Sequence, residues 1–398
     1  PKDETAFVRS NFRGLPSTSV NAVRSLPILA LATLLAACSA GSTAQEPRSV
    51  QLTDSVLDGR LWVPQGFKIT EFAKVPRVRF MALAPDGAVY VSQPRDGIVT
   101  RLVDADGDGN AESQLVAVSG LDRPHGLTFH DGWLYIANTG ELVRVRLDAK
   151  GIATGTPERV AQYNSGGGHW TRSVTFGPDG GIYVAIGSSC NICEEKSEER
   201  AAVMRYDADG SHGRVFSRGL RNAVGIAVQP QTKQIWVTQN ERDNLRPEHE
   251  NLPFEEINIL TDGGDFGWPY CHGDRVPNPE FNDPARCANT IPPALKIQAH
   301  SAPLGMSFLD RATKFPADFR GDALVALHGS WNRDVPTGAK VIRIKIENGK
   351  PVSSEDFIDG WQTSNGKRWG RPVDVLVSAD GAVLVSDDQA GVIYRVTH

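Results

Sequence analysis

The sequence predicts an all-β protein built as a six-bladed β-propeller, and three observations carry that expectation. One pattern recurs six times: an apolar alternating strand, a tight polar turn and a second apolar strand, at residues 81–92 (MALAPDGAVYVS), 126–137 (GLTFHDGWLYIA), 173–185 (SVTFGPDGGIYVA), 225–238 (GIAVQPQTKQIWVT), 305–327 (GMSFLDRATKFPADFRGDALVAL) and 374–386 (DVLVSADGAVLVS). Four of those turns contain an Asp-Gly step, whose ease at positive φ suits a β-hairpin. Gly (39) and Pro (25) together make about 16% of the 398 residues against a usual ~12%, which favours turns over long helices. Six equivalent units are not what a sandwich requires; repeated small sheets packed on one another around a channel are.

The elements follow in chain order. Residues 1–37 read as an export signal, because Arg9, Arg13 and Arg24 precede the apolar run Leu26–Ala37, which is too short to span a bilayer. The run ends at Leu35-Ala36-Ala37-Cys38, which resembles the bacterial lipobox and implies lipidation at Cys38. Ordinary secretory cleavage near Ala40 is the alternative. Ser39 stands where an Asp would resemble an inner-membrane retention signal, so the expectation is a periplasmic protein anchored to the outer membrane, or a secreted one if Cys38 is not lipidated. Small polar residues over 38–60 predict a flexible, lipid-anchored tether, and 61–398 the propeller. Lys and Arg number 42 against 47 Asp and Glu, a net charge of −5 that gives no pull toward nucleic acid. At 40% hydrophobic residues the chain can bury a large core but is neither a polytopic membrane protein nor disordered.

Export places the other four cysteines in an oxidising compartment, which favours disulfides over metal thiolates. Of the three possible connectivities, the local pairs Cys190–Cys193 and Cys271–Cys287 are expected. A four-Cys zinc site is the alternative, disfavoured by the compartment and by the 77 residues between the pairs.

Repeat register also points to a site. The first strand of each propeller blade lines the axis, so residues entering those strands gather at one channel mouth. Here those positions hold Arg79, His125, Arg172 with His169 upstream, Arg221 with Asn222, His300 and Arg371. Cations in register repel one another unless an anion sits among them, so the mouth is expected to take a polyanionic ligand.

Several segments then carry a family resemblance: 166–180 (GGGHWTRSVTFGPDG), 188–193 (SSCNIC), 219–228 (GLRNAVGIAV), 238–243 (TQNERD), 255–258 (EEIN), 263–271 (GGDFGWPYC), 328–333 (HGSWNR) and 370–375 (GRPVDV). In this order they resemble the glucose/sorbosone dehydrogenase family of quinoproteins, nearest its L-sorbosone dehydrogenase-like branch. The resemblance implies a six-bladed propeller that binds pyrroloquinoline quinone (PQQ) and Ca2+ and oxidises an aldose or sugar aldehyde by hydride transfer to the quinone. PQQ, with three carboxylates and an orthoquinone, matches a cationic mouth. By motif position, His169 is implied as general base, Arg221 and Asn222 as the pair at the quinone oxygens, and Asn240, Arg333, Arg368 and Arg371 as further cofactor contacts.

Calcium is where the pattern departs from the family. Asn240-Glu241-Arg242-Asp243 replaces the family's Gln-Gly-Pro, so oxygens of Glu241, Arg242 or Asp243 are the candidate ligands. Glu255, Glu256 and Asn258 are candidates for a second calcium site or for bracing their loop. A separate candidate is the loop with Asp104, Asp106, Asp108 and Glu112, spaced as in an EF-hand but with Leu115 where the bidentate Glu belongs. Trp170, Trp331 and Trp369 adjoin the motifs, fit either for stacking on a ligand or for packing between blades. The expected partners are a small sugar and an external electron acceptor, since no haem-attachment motif is present. Two other readings stay open: a calcium-dependent lactonase or hydrolase, which would need an axial metal held by Glu and Asn side chains, and a non-catalytic binding propeller.

Overall fold

The computed structural model describes residues 52–363 and 366–398. The export signal 1–37, the lipidation site Cys38 and the first part of the tether lie outside the described residues. Within them the alternating repeats form six antiparallel sheets. Their innermost strands are Met81–Leu83, Leu127–His130, Arg172–Phe176, Ala223–Val228, Pro303–Phe308 and Pro372–Val377, each within two residues of the start of a sequence repeat. Each innermost strand touches the next, and the sixth returns to the first, closing a six-bladed propeller.

Closure uses a strand that the repeats did not reveal. Lys68–Lys74 pairs antiparallel with Val392–Thr397 and supplies the fourth strand of the last blade, so the two ends of the propeller share one sheet and no edge is left between them. Ahead of it, Asp54–Val56 pairs with Leu61–Val63. The stretch expected to be flexible tether as far as residue 60 is therefore ordered from residue 54, because its backbone finds ladder partners on the hairpin's return strand.

The core lies between blades, not inside them. Six buried apolar clusters each join two neighbouring sheets, as where Tyr90 and Val99 of the first blade meet Leu134 and Ile136 of the second. A seventh, Phe80, Val224, Leu304 and Val373, gathers residues at the innermost strands of four blades and fills the axis. Those strands approach closely because glycine recurs there: a Cβ at Gly225 would lie 2.2 Å from the Leu304 carbonyl oxygen. The long turn of the fifth repeat folds as the 3-10 helix Ala317–Phe319 and sends Phe315 and Phe319 into an aromatic group with Phe67 and Phe357, sealing the fifth blade to the sixth. Both expected disulfides are present, Cys190–Cys193 and Cys271–Cys287. The second closes the insertion after the fourth blade's third strand, which also adds Gly264–Asp265 in parallel to the third blade.

Candidate active site

In an antiparallel blade the start of the first strand and the end of the second lie at the same end. Entry residues Arg79, 169–172, 221–222, 300–302 and 371 therefore meet exit residues 188–193, 240–243, 328–333 and 388 at one mouth. A cavity of about 420 Å3 opens there, bordered by Arg79, His169, Trp170, Arg221, Asn222 and Arg371, with Val224 and Leu304 of the axial plug among its walls.

His169 is the best-prepared proton acceptor in it. Its Nδ1 lies 3.1 Å from the Ser188 carbonyl and 3.0 Å from Ser188 Oγ. The carbonyl can only accept, and Ser188 Oγ already donates to the Cys190 carbonyl at 2.6 Å, so Nδ1 carries the proton and Nε2 the lone pair. Burial, with Arg221 second, pushes the imidazole down to about 3, keeping it neutral at ordinary pH. Arg172 and Arg200 hold the surrounding backbone: Arg172 donates to the carbonyls of His169, Thr171 and Asn164, and Arg200 to those of Gly167 and Ser188. A Cβ at Gly187 would lie 2.4 Å from Asn222 Oδ1 and 2.8 Å from His169 Cβ, so only glycine lets these two side chains come together.

The expected ring of free cations is smaller than the register suggested. His125 is fully buried and held well below the usual imidazole range by desolvation, hence neutral, and Arg172 is spent on backbone carbonyls. Arg79, Arg221 and Arg371 do reach the cavity. Arg79 pairs with Asp388 at 2.8 Å, and Asp388 also takes His328 Nε2 at 3.0 Å. Arg221 uses all its donors inside the protein: on the Asn191 carbonyl and Oδ1, the carbonyls of Asn240 and Glu241, and the Asp243 carboxylate. Arg371 donates through Nε to the His328 carbonyl, and its Nη1 has no protein partner among the described residues. Arg333 and Arg368 border no part of the cavity; Arg333 binds the carbonyls of Glu250 and Val335, and Arg368 those of Ser330 and Thr337, so both brace the 328–337 loop. Asn240 lies on the wall, its Nδ2 donating to the Pro303 carbonyl at 2.6 Å.

Four buried polar atoms of cavity residues have no partner among the described residues: Arg79 Nε, Thr171 Oγ1, Asn222 Oδ1 and Asn332 Oδ1. A wall left unsatisfied in this way suits a polar ligand.

Of the oxygens nominated for calcium beside this cavity, those of Glu241 and Asp243 are already used. The Glu241 carbonyl accepts from Arg221 at 2.7 Å, the Asp243 carboxylate from Arg221 and Asn332, and the Arg242 side chain turns away to Glu280 and Asn278. A dication on the Glu241 carbonyl or the Asp243 carboxylate would face the Arg221 guanidinium, so these two oxygens do not fit one. Glu255 accepts the backbone N–H groups of Glu241 and Ala302, and Glu256 that of Gly273 and the Asn258 amide, which is bracing. Burial raises both carboxyls, Glu255 to about 8. In the other loop, carboxylate oxygens of Asp104, Asp106, Asp108 and Glu112 lie within 4.8 Å of one another. Of the tryptophans, Trp331 stands 74% exposed at the rim, Trp170 lies against His125 and Arg123 in the wall, and Trp369 stacks on Trp361 away from the cavity.

Sequence reasoning missed Ser188 as orienter of His169, Asn191 as acceptor for Arg221, and the pairing of Asp388 with Arg79 and His328. All three follow the second strand of a repeat, and that register position was the available signal.

Residues 61–398 match the family model described as TrAA12-like. The PQQ-dependent pyranose dehydrogenase of Coprinopsis cinerea is 26% identical over 84% of this chain, which spans only 54% of that protein's length. Among solved structures, the holo PQQ domain of pyranose dehydrogenase from the same fungus superposes with a TM-score of 0.72 at 22% identity, covering 90% of this chain and 99% of that one. The calcium structure of Trichoderma reesei Carbohydrate-Active Enzymes Family AA12 gives a TM-score of 0.75 at 20% identity, covering 88% and 99%.

Proposed function

Because the chain belongs to the TrAA12-like family, we propose that it is a PQQ-dependent oxidoreductase that dehydrogenates a sugar hydroxyl or hydrated sugar aldehyde in this cavity. The observation that carries the reading is His169: a neutral imidazole with its proton fixed on the Ser188 side and its lone pair on Nε2, in the wall of a cavity bordered by three arginines. The pyranose dehydrogenase relative supports the cofactor and the substrate class.

The residues present fit the cofactor's chemistry. Arg371, with a donor to spare, and Arg79 supply positive charge for carboxylates, and Asn222, whose Oδ1 has no partner among the described residues, lines the cavity with His169. Bound PQQ would supply the acceptor for a hydride. His169 Nε2 would take the hydroxyl proton as the C–H bond breaks, while Ser188 keeps the ring in the required tautomer. Arg221 contributes a fixed positive field from the cavity wall, its own hydrogen bonds being complete.

Calcium does not enter these steps; its candidate place is the 104–112 loop, where it would be structural. A lactonase built on an axial metal is disfavoured by the apolar plug of Phe80, Val224, Leu304 and Val373 on the axis. Lipid anchorage in the periplasm belongs to the same proposal on the strength of Leu35-Ala36-Ala37-Cys38, and an external electron acceptor because a reduced quinone must be reoxidised before the next turnover.

The test is PQQ binding by tryptophan fluorescence together with dye reduction across aldoses and sorbosone. His169→Ala should leave PQQ binding within about threefold and lower kcat by roughly 10^2–10^4-fold, the usual worth of a positioned base. Absence of PQQ binding to the unaltered protein overturns the reading.

A further inference from the structure

Behind the cavity wall, one short loop reaches Arg221 and Asp243 of the fourth blade and, through Ser188, His169 of the third. Cys190, Asn191, Ile192 and Cys193 are half-buried, and Cys190 is bonded to Cys193. Asn191, enclosed by that bond, does not line the cavity. Its side chain grips Asp243 by both backbone groups: Asn191 Oδ1 accepts from the Asp243 N–H at 2.8 Å, and Asn191 Nδ2 donates to the Asp243 carbonyl at 3.0 Å. The same Oδ1 accepts from Arg221 Nη2 at 2.9 Å, the Asn191 carbonyl accepts from Arg221 Nε at 3.0 Å, and Trp268 Nε1 donates to that carbonyl at 3.2 Å. On the loop's other side the Cys190 carbonyl accepts from Ser188 Oγ, the group that sets the His169 tautomer.

We propose that Asn191, clamped by the Cys190–Cys193 disulfide, is the positioning residue that aligns Arg221 and Asp243 at the site, and that reduction of this disulfide reversibly misaligns it. The proposal rests on the reading of the cavity as the reactive site. Nothing else in the loop offers an acceptor to both Arg221 and the Asp243 amide. Without the cross-link, Asn191 must hold its geometry by hydrogen bonds alone in a half-exposed loop, where small displacements are costly to alignment. In reduction by a small dithiol, the Cys190 Sγ–Cys193 Sγ bond breaks, two electrons and two protons make two thiols, and the dithiol closes its own disulfide. Cys271–Cys287, 1% and 0% exposed, is shielded from the same reagent.

The deciding measurement is hydrogen–deuterium exchange of the 238–245 segment in the full chain without cofactor, with mass spectrometry confirming that Cys271–Cys287 stays closed. Dithiol treatment and Asn191→Ala should each speed exchange there by about tenfold, the loss of roughly one hydrogen bond's protection. Reoxidation should restore it, and Asn191→Asp, which keeps the acceptor, should retain most of it. Exchange unchanged within about twofold after reduction overturns the proposal, and this reversible treatment decides the matter even if Asn191→Ala fails to fold. In PQQ-loaded protein the same changes should lower kcat roughly 10- to 100-fold with a smaller effect on KM for the sugar. A loss confined to KM overturns the positioning role. If the unaltered protein turns over no sugar, the functional reading fails while the exchange result still stands.

Discussion

His169 has its role prepared by neighbours rather than by its own chemistry: Ser188 fixes the proton, Arg172 and Arg200 fix the backbone, and burial keeps the ring neutral. The same physics acts on His272, which burial and then Arg242 push down to about 4. Its unfolded counterpart titrates near 6.5, so between about pH 4 and 6.5 the unfolded chain binds the extra proton, and the stability tied to a neutral His272 is lost as pH falls through that window. His272→Gln removes this titration. Melting curves should show the unaltered protein losing stability relative to the variant from pH 7 down to pH 4, and a constant gap would contradict the assignment.

At the scale of elements, the innermost strands carry the closest packing. Gly225→Ala would press a methyl against the Leu304 carbonyl and Thr238 Oγ1, and should cost about 1–3 kcal/mol as an overpacking defect, read by denaturant unfolding. The loop 104–112 is the other element with a separable role. Its carboxylates bind their own backbone, Asp104 taking the N–H groups of Gly107 and Gly109. Calcium added to chelator-treated protein should raise Tm, and the gain should vanish in the Asp104→Asn, Asp106→Asn double variant while PQQ affinity stays unchanged. A calcium effect on PQQ affinity that survives the double variant would move the ion to the cavity.

For the molecule as a whole, closure decides whether the ring holds. Lys68–Lys74 supplies Ile69 and Phe72 to clusters on the two faces of the last blade. Deleting the chain through Lys74 would bare the edge strand Val392–Thr397 and both clusters, so the product should lose cooperative melting and aggregate, as seen by calorimetry and light scattering. Retention of a sharp transition would show that five complete blades and a three-stranded sixth suffice.

Much of this was legible in the chain itself. Six repeats with strand-period alternation and Asp-Gly turns specify hairpins, and hairpins of that spacing specify blades, because alternation and turn chemistry are local properties. Cys190–Cys193 and Cys271–Cys287 follow from proximity along the sequence, and His169, Arg221, Asn222 and Arg371 from register and motif. What only the tertiary structure decided is which partner each group meets. Arg221 proves saturated by Asn191, Asn240, Glu241 and Asp243, Arg333 and Arg368 brace a loop, and His125 is buried and neutral. The strand Lys68–Lys74 finds its place more than 300 residues away in sequence. Such pairings depend on distances between segments remote in sequence and on the desolvation those segments impose, and neither quantity is written in local pattern.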